Sequence, residues 1–322
     1  MDVKEIYQHI DQVGHEDLSL KGRWLIDSLW LSEAVGLIGG PPKSCKSWLA
    51  IDMAVSTASA TKCLQTFNVL NHGPVLVYLA EDSLAALKER VAGICKNRGL
   101  NLATLPLFTI TLPSMRLDKE PDQLRLRQAI SKVGPRLVVL DPLVRLHRSD
   151  ENNAKEMSAI LSYLRDLQRE YHTAIVLVHH ATKRSHERAG LSLRGSSDLH
   201  AFGDSNLYLF KKRDLYELTI EHRSAANIDP LALKLEADDE IPPHLIVTNP
   251  PQETSTASLE ESIVEKLNQQ NPVMRTTLRQ LLKVNNARLG DALVTLEKNN
   301  QILKGPNGWL LPKETIVPCS TL

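Results

Sequence analysis

VGLIGGPPKSCKS, residues 35–47, runs directly into WLAIDMAVSTASA, residues 48–60. The first six residues are apolar or glycine without alternation, as in a strand buried on both faces of a sheet. The following segment reads as a helix over 46–60. Between them, Gly40, Lys46 and Ser47 satisfy GxxxxGK(S/T), a pattern that needs a strand before it and a helix after it. In that context the loop Gly40, Pro41, Pro42, Lys43, Ser44, Cys45, Lys46, Ser47 is expected to cradle a phosphate at a helix N-terminus with its available backbone N–H groups. Lys46 would neutralise the β- and γ-phosphates and Ser47 would ligate Mg²⁺. Lys43 is either an extra phosphate contact or a solvated loop lysine. Cys45 stands where the pattern has glycine. A side chain there is tolerable if the position needs only right-handed helical dihedrals, and otherwise crowds the loop. The expected cost falls on turnover more than on binding.

Outward from this loop, VLVYLAED (75–82), LVVLDP (137–142) and AIVLVHH (174–180) have the same strand character. Helical stretches at 83–99, 120–133 and 153–171 separate them. Strand and helix in alternation imply right-handed crossovers and a parallel sheet covered on both faces. NLYLFKKR (206–213) and LYELTIEHR (215–223) alternate and predict antiparallel strands added at one edge. Trp24, Leu25 and Trp30 are expected in the core; packing against a base or a neighbouring chain is the alternative.

Three strand ends carry candidate chemistry. Asp141 closes LVVLD, where a carboxylate beside the phosphate-loop strand can hold Mg²⁺; an Asp-Pro turn is the alternative. Glu81 ends the second strand and is the candidate for orienting the attacking water, while Asp82 and Ser83 open the next helix. His180, paired with His179, can sense a γ-phosphate or simply end its strand. The stretch 181–195 carries Lys183, Arg184, Arg188 and Arg194 against one acid, Glu187. It is a candidate for a phosphodiester backbone, or a solvated loop.

The composition fits an ordinary globular protein: 322 residues, 42% apolar and 24% charged. With 38 basic and 38 acidic residues the formal charge is zero, so any basic surface must be local. Cys45, Cys63, Cys95 and Cys319 form no CxxC pair and read as reduced thiols. With no leader-like apolar segment and no apolar run near membrane-spanning length, a soluble, cytoplasmic protein is expected.

The expected organisation is an N-terminal segment (1–23), a large α/β domain (24–239), a linker (240–257) marked by four prolines, a small domain (258–313) and a tail (314–322). The small domain reads as three helices and a hairpin turning at 305–308, the order of a winged helix-turn-helix. The N-terminal end of its third helix would enter a major groove through Asn286 and Arg288. Arg279, Lys283 and Lys304 would lie near phosphates. Eight basic residues against five acidic ones between 258 and 313 also leave protein docking open.

GGPPKSCKSWLA, LVYLAEDS, VVLDPL, VLVHHATK and RGSSDLHAFGDSNLYL, in that order, resemble the RepA-like, AAA_25-type ATPases of the RecA/DnaB hexameric helicase class over residues 24–236. The resemblance implies a RecA-like P-loop NTPase core and a homo-oligomer, often a hexamer, with ATP at subunit interfaces. An arginine of the neighbour would complete each site; Arg223 is similar in position, and Arg194 is the second candidate. The implied function is an ATP-dependent, DNA-associated motor, helicase or helicase loader, in replication of a plasmid, phage or other mobile element. ATP and Mg²⁺ would be its cofactors, and single-stranded DNA, duplex DNA and replication or mobile-element proteins its partners. The alternative is an ATP-gated, oligomerising DNA-binding regulator or adaptor with slow turnover.

Overall fold

The computed structural model describes residues 20–148, 154–180, 197–225, 228–237, 242–248, 259–269, 271–282, 286–299, 301–306 and 308–312. The chain divides into two compact units, 1–249 and 250–322. The described residues of the first open with α1 (Leu20–Arg23) and a short antiparallel pair, β1 (Trp24–Ile26) and β2 (Trp30–Leu31). Then follow β3 (Val35–Gly40), α2 (Lys46–Ser59), β4 (Val75–Leu79), α3 (Leu84–Asn97), β5 (Leu107–Thr109), α4 (Glu120–Val133) and β6 (Leu137–Asp141). The unit continues through α5 (Ala154–Tyr171), β7 (Ala174–His180), α6 (Ser197–Phe202), β8 (Ser205–Lys212), β9 (Leu215–His222), β10 (Leu231–Glu236) and β11 (His244–Thr248).

Nine strands, among the described residues, form one sheet in the order β11-β10-β9-β8-β3-β7-β6-β4-β5. From β8 to β5 every pairing is parallel; from β8 to β11 every pairing is antiparallel. Side chains of the inner parallel strands alternate between two cores. Ile38, Val75, Val77, Val139, Val176 and Val178 join α2 and α3 on one face. Leu37, Leu76, Tyr78, Val138, Leu140 and Leu177 join α4 and α5 on the other. This two-sided burial explains why these strands lack polar alternation. Helix α2 has eleven of its fourteen residues buried, so its amphipathic signal is faint although the helix is central.

Trp24, Leu25 and Trp30 lie in the core as expected, at 7%, 1% and 0% exposure. The region 240–257 does not behave as linker throughout. Leu245 and Val247 extend the core of the first face from β11, which pairs in register with β10. A five-residue strand flanked by prolines is hard to separate from a linker until its pairing partner is known.

The second unit contains α7 (Leu259–Gln269), α8 (Arg275–Leu282), α9 (Asn286–Lys298) and the hairpin β12 (Leu303–Gly305) with β13 (Gly308–Leu310). Ile263, Leu267, Leu278, Leu289, Leu293, Leu296 and Trp309 form its core. Val273 bridges to Trp309, adding a third short extended segment beside the hairpin. No helix among the described residues is long and apolar enough to cross a membrane.

Candidate functional site

Parallel register places the candidate residues along one edge of the sheet. Gly40 pairs with His180 between β3 and β7, and Leu79 pairs with Asp141 between β4 and β6. The C-terminal ends of β3, β7, β6 and β4 therefore open onto the same crevice, where open α/β sheets bind ligands. A cleft of about 360 Å³ lies there, lined by Lys43 to Trp48, Leu79, Glu81, Asp82, Arg90, Asp141, Val178 and His180. One expectation is corrected: β6 is not beside the phosphate-loop strand, because β7 lies between them. Asp141 still reaches α2, since its carboxylate accepts a hydrogen bond from the Ser47 hydroxyl.

The loop from Gly40 to Lys46 is tightly shaped. A Cβ at Gly40 would meet the Leu209 carbonyl oxygen at 2.3 Å and Ser44 Oγ at 2.8 Å, so only glycine fits. Cys45 has φ 63° and ψ 20°, in the left-handed region. Right-handed dihedrals, the condition under which a side chain would be tolerable there, are thus not what the loop uses. For a non-glycine residue this conformation costs roughly 1–2 kcal/mol. The Cys45 thiol meets the Tyr216 hydroxyl on β9 and has Lys211 on β8 nearby, and burial raises its pKa. Exposed Lys43 is also left-handed, at φ 63°.

Lys46 is 4% exposed and donates to the Pro41 carbonyl at 2.7 Å and to Ser44 Oγ at 3.4 Å. Burial lowers its pKa to about 8, with Asp141 opposing the shift. Asp141 is 6% exposed, and burial pushes its carboxyl up to about 6. The Ser47 hydrogen bond and Lys46 oppose that rise, while Asp82 and Glu81 add to it. Asp141 Oδ2 is buried and has no hydrogen-bond partner among the described residues. A carboxylate raised by burial, with one orphaned oxygen and a hydroxyl beside it, fits a divalent cation. No group of three or more His, Cys, Asp or Glu that could hold a metal occurs among the described residues. Ser47 and Asp141 are the residues that would hold a cation such as Mg²⁺.

Glu81 lies at the mouth of the cleft, 44% exposed, and accepts from Arg145 Nε at 2.8 Å. Ser83, rather than Asp82, caps α3, accepting from Ala86 N at 3.1 Å. Asp82 instead takes both arms of Arg90, at 2.7 and 3.3 Å, and that guanidinium lies 5.3 Å from the Trp48 ring centroid. Nothing in the sequence marks Trp48, Arg90 and Arg145, since a helical tryptophan and scattered arginines carry no motif. Of the two histidines, His180 lines the cleft and His179 is 1% exposed.

Arg223 is not brought to this cleft. Its guanidinium donates to the Ala201 carbonyl and lies 3.4 Å from Asp204, beside a separate cleft between α5 and α6. Lys183, Arg184, Arg188, Arg194 and Lys283 lie outside the described residues, as do the side chains of Asn286 and Arg288. Arg279 and Lys304 are exposed on the second unit.

Residues 20–186, just over half of the chain, match the AAA_25 family, described as an AAA domain. Among solved structures, a DnaB-like replicative helicase, determined with its interactions with primase, aligns with TM-score 0.50 at 16% identity, over 64% of this chain and 56% of that one. The RadB recombinase aligns at 0.47 and 18% identity, over 64% and 88%. A KaiC-like protein from Pyrococcus horikoshii aligns at 0.46 and 12%, over 70% and 94%. With a phosphate loop between β3 and α2, and its Lys46, Ser47 and Asp141 gathered at one sheet edge, the chain belongs to the AAA_25 family and is a P-loop ATPase of the RecA-like fold.

Proposed function

We propose that this ATPase is a DNA-associated motor, helicase or helicase-loader-like, serving replication of a plasmid, phage or other mobile element. The observation that carries the reading is one cleft in which Lys46, Ser47, Asp141, Glu81 and His180 come together from separate strand ends and the start of α2. Lys46 leaves the Pro41 carbonyl for the β- and γ-phosphates. Ser47 and Asp141 would hold Mg²⁺, which would supply charge neutralisation at the phosphates. Glu81 orients the attacking water, and His180 senses the γ-phosphate at the head of the 181–195 segment. Arg90, close to the Trp48 ring, offers a planar cation to the nucleotide base.

Single-stranded DNA is the ligand proposed for Lys183, Arg184 and Arg188, within a homo-oligomer such as a hexamer. A neighbour's Arg223 or Arg194 completes each site. Residues 258–313 act as a winged helix, with Arg279, Lys283, Asn286, Arg288 and Lys304 toward duplex DNA. The similarity of the phosphate-loop domain to a DnaB-like helicase supports the motor. ATP hydrolysis stimulated by single-stranded DNA, and abolished by Lys46→Ala, is the expected result. Turnover indifferent to DNA in a protein whose Lys46→Ala variant is inactive sinks the translocase.

One observation favours a second reading, a slow ATP-gated DNA-binding regulator: the left-handed Cys45 in the phosphate loop. Sequence-specific duplex binding with no unwinding by the full chain distinguishes it.

A further inference from the structure

Glu81 and Arg145 are 64 residues apart and meet because β4 and β6 are neighbours. Ala80 N donates to the Asp141 carbonyl at 2.7 Å, so the two strand ends leave the sheet together. After Asp141 the chain makes a tight turn, Leu143–Arg145, that returns the Arg145 guanidinium over the end of β4.

Backbone and side chain of Arg145 are held differently. Its carbonyl accepts from the Arg116 guanidinium, which also reaches the His147 carbonyl at 3.3 Å. Its N–H donates to the Pro142 carbonyl at 3.0 Å, and Leu143 and Leu146 beside it are fully buried. The side chains, in contrast, are 60% exposed at Arg145 and 44% at Glu81. An ion pair this exposed contributes little, so it biases Glu81 without locking it.

We infer that Arg145 is a positioning residue that holds Glu81 away from the attacking water, and that a phosphodiester taking Arg145 releases Glu81 to work. This rests on Glu81 being the water-orienting carboxylate. A guanidinium exchanges carboxylate for phosphate with the same fork of donors, so a DNA backbone is a competent rival. The turn also leads to Arg148, a second exposed cation whose N–H is fixed to Asp118 Oδ2 at 3.2 Å. Hydrolysis is thereby restrained until nucleic acid reaches the turn beside the site.

The test is steady-state ATP hydrolysis by the full chain, with and without oligothymidylate and over a range of KCl, for wild type, Arg145→Ala, Arg145→Lys and Glu81→Gln. Without DNA, Arg145→Ala raises kcat about two- to fivefold at unchanged KM, the range an exposed pair can bias. Its stimulation by oligothymidylate shrinks correspondingly, and Arg145→Lys stays near wild type. Added KCl raises basal kcat in wild type by screening the pair, and leaves Arg145→Ala unmoved. A basal kcat that is unchanged or lower in Arg145→Ala, while Glu81→Gln is inactive, overturns the restraint but keeps the role of Glu81. Activity retained by Glu81→Gln removes that role and the restraint with it. A basal rise in Arg145→Ala in a protein whose wild type ignores oligothymidylate overturns the phosphodiester as the releasing anion.

Discussion

Replacing Asp141 by asparagine separates what this residue costs the fold from what it does for the ligand. Its carboxyl, ordinarily at 3.8, is pushed up to about 6 by burial. The folded protein therefore takes up a proton between those values that the unfolded chain does not. Because the folded-state pKa is raised, stability falls as pH rises through this window and stays low above about 6. A rise of this size corresponds to about 3 kcal/mol once the group is ionised in both states. The neutral amide of Asp141→Asn would carry no such burden and could still accept from the Ser47 hydroxyl. It would lose the attraction to Lys46, so the expected net gain is about 1–3 kcal/mol. Urea unfolding of both proteins without nucleotide, at pH 5 and pH 7.5, measures it. Asp141→Asn should be the more stable protein at pH 7.5, with the advantage roughly halved at pH 5, inside the window between the two values. Conversely, thermal stabilisation by ATP with Mg²⁺ should be strong in wild type and weak in the variant. A variant less stable at pH 7.5, or equally advantaged at both pH values, refutes burial as the cause.

Cys45→Gly relieves the left-handed dihedral but loosens the unfolded chain and loses the Tyr216 contact, so melting should change little while kcat for ATP rises. Lys46, held at about 8 by burial, bears its charging cost fully below that pH, and the cost is relieved as pH rises toward 10.5. Lys46→Met should therefore melt higher than wild type at pH 7 without nucleotide, with the gap closing toward pH 10, and should gain nothing from ATP. Arg98 and Asp52 form an almost fully buried pair, 2.6 Å apart, that ties α3 to α2 and also engages Ser56. Arg98→Ala leaves the buried Asp52 carboxylate without its counter-charge, with only its hydrogen bonds from Leu64 N and Ser56 Oγ, and should lower the unfolding free energy of the first unit by about 3–5 kcal/mol in chemical denaturation.

Elements whose signal is carried by neighbours in the chain were legible in the sequence. The strand at 35–40, the loop and the helix from 46 depend on local composition and on one spacing pattern, and all three form where that pattern puts them. The strands ending at Asp141 and His180 were equally plain, because burial on both faces leaves an unbroken apolar run. Strands β10 and β11 were not, since each acquires its structure by pairing at the sheet edge rather than from its own residues.

The sequence alone determined that a phosphate loop exists and which residue types at strand ends could serve it, because short-range spacing controls backbone shape within one strand–loop–helix unit. Tertiary structure decided which strand ends share the cleft, since parallel register brings Gly40 level with His180, and Leu79 level with Asp141. It also set β7 between β3 and β6, buried Asp141 enough to raise its carboxyl, and closed Arg145 onto Glu81. Those outcomes depend on pairing and burial between residues far apart in the chain, and spacing along the chain carries no information about either.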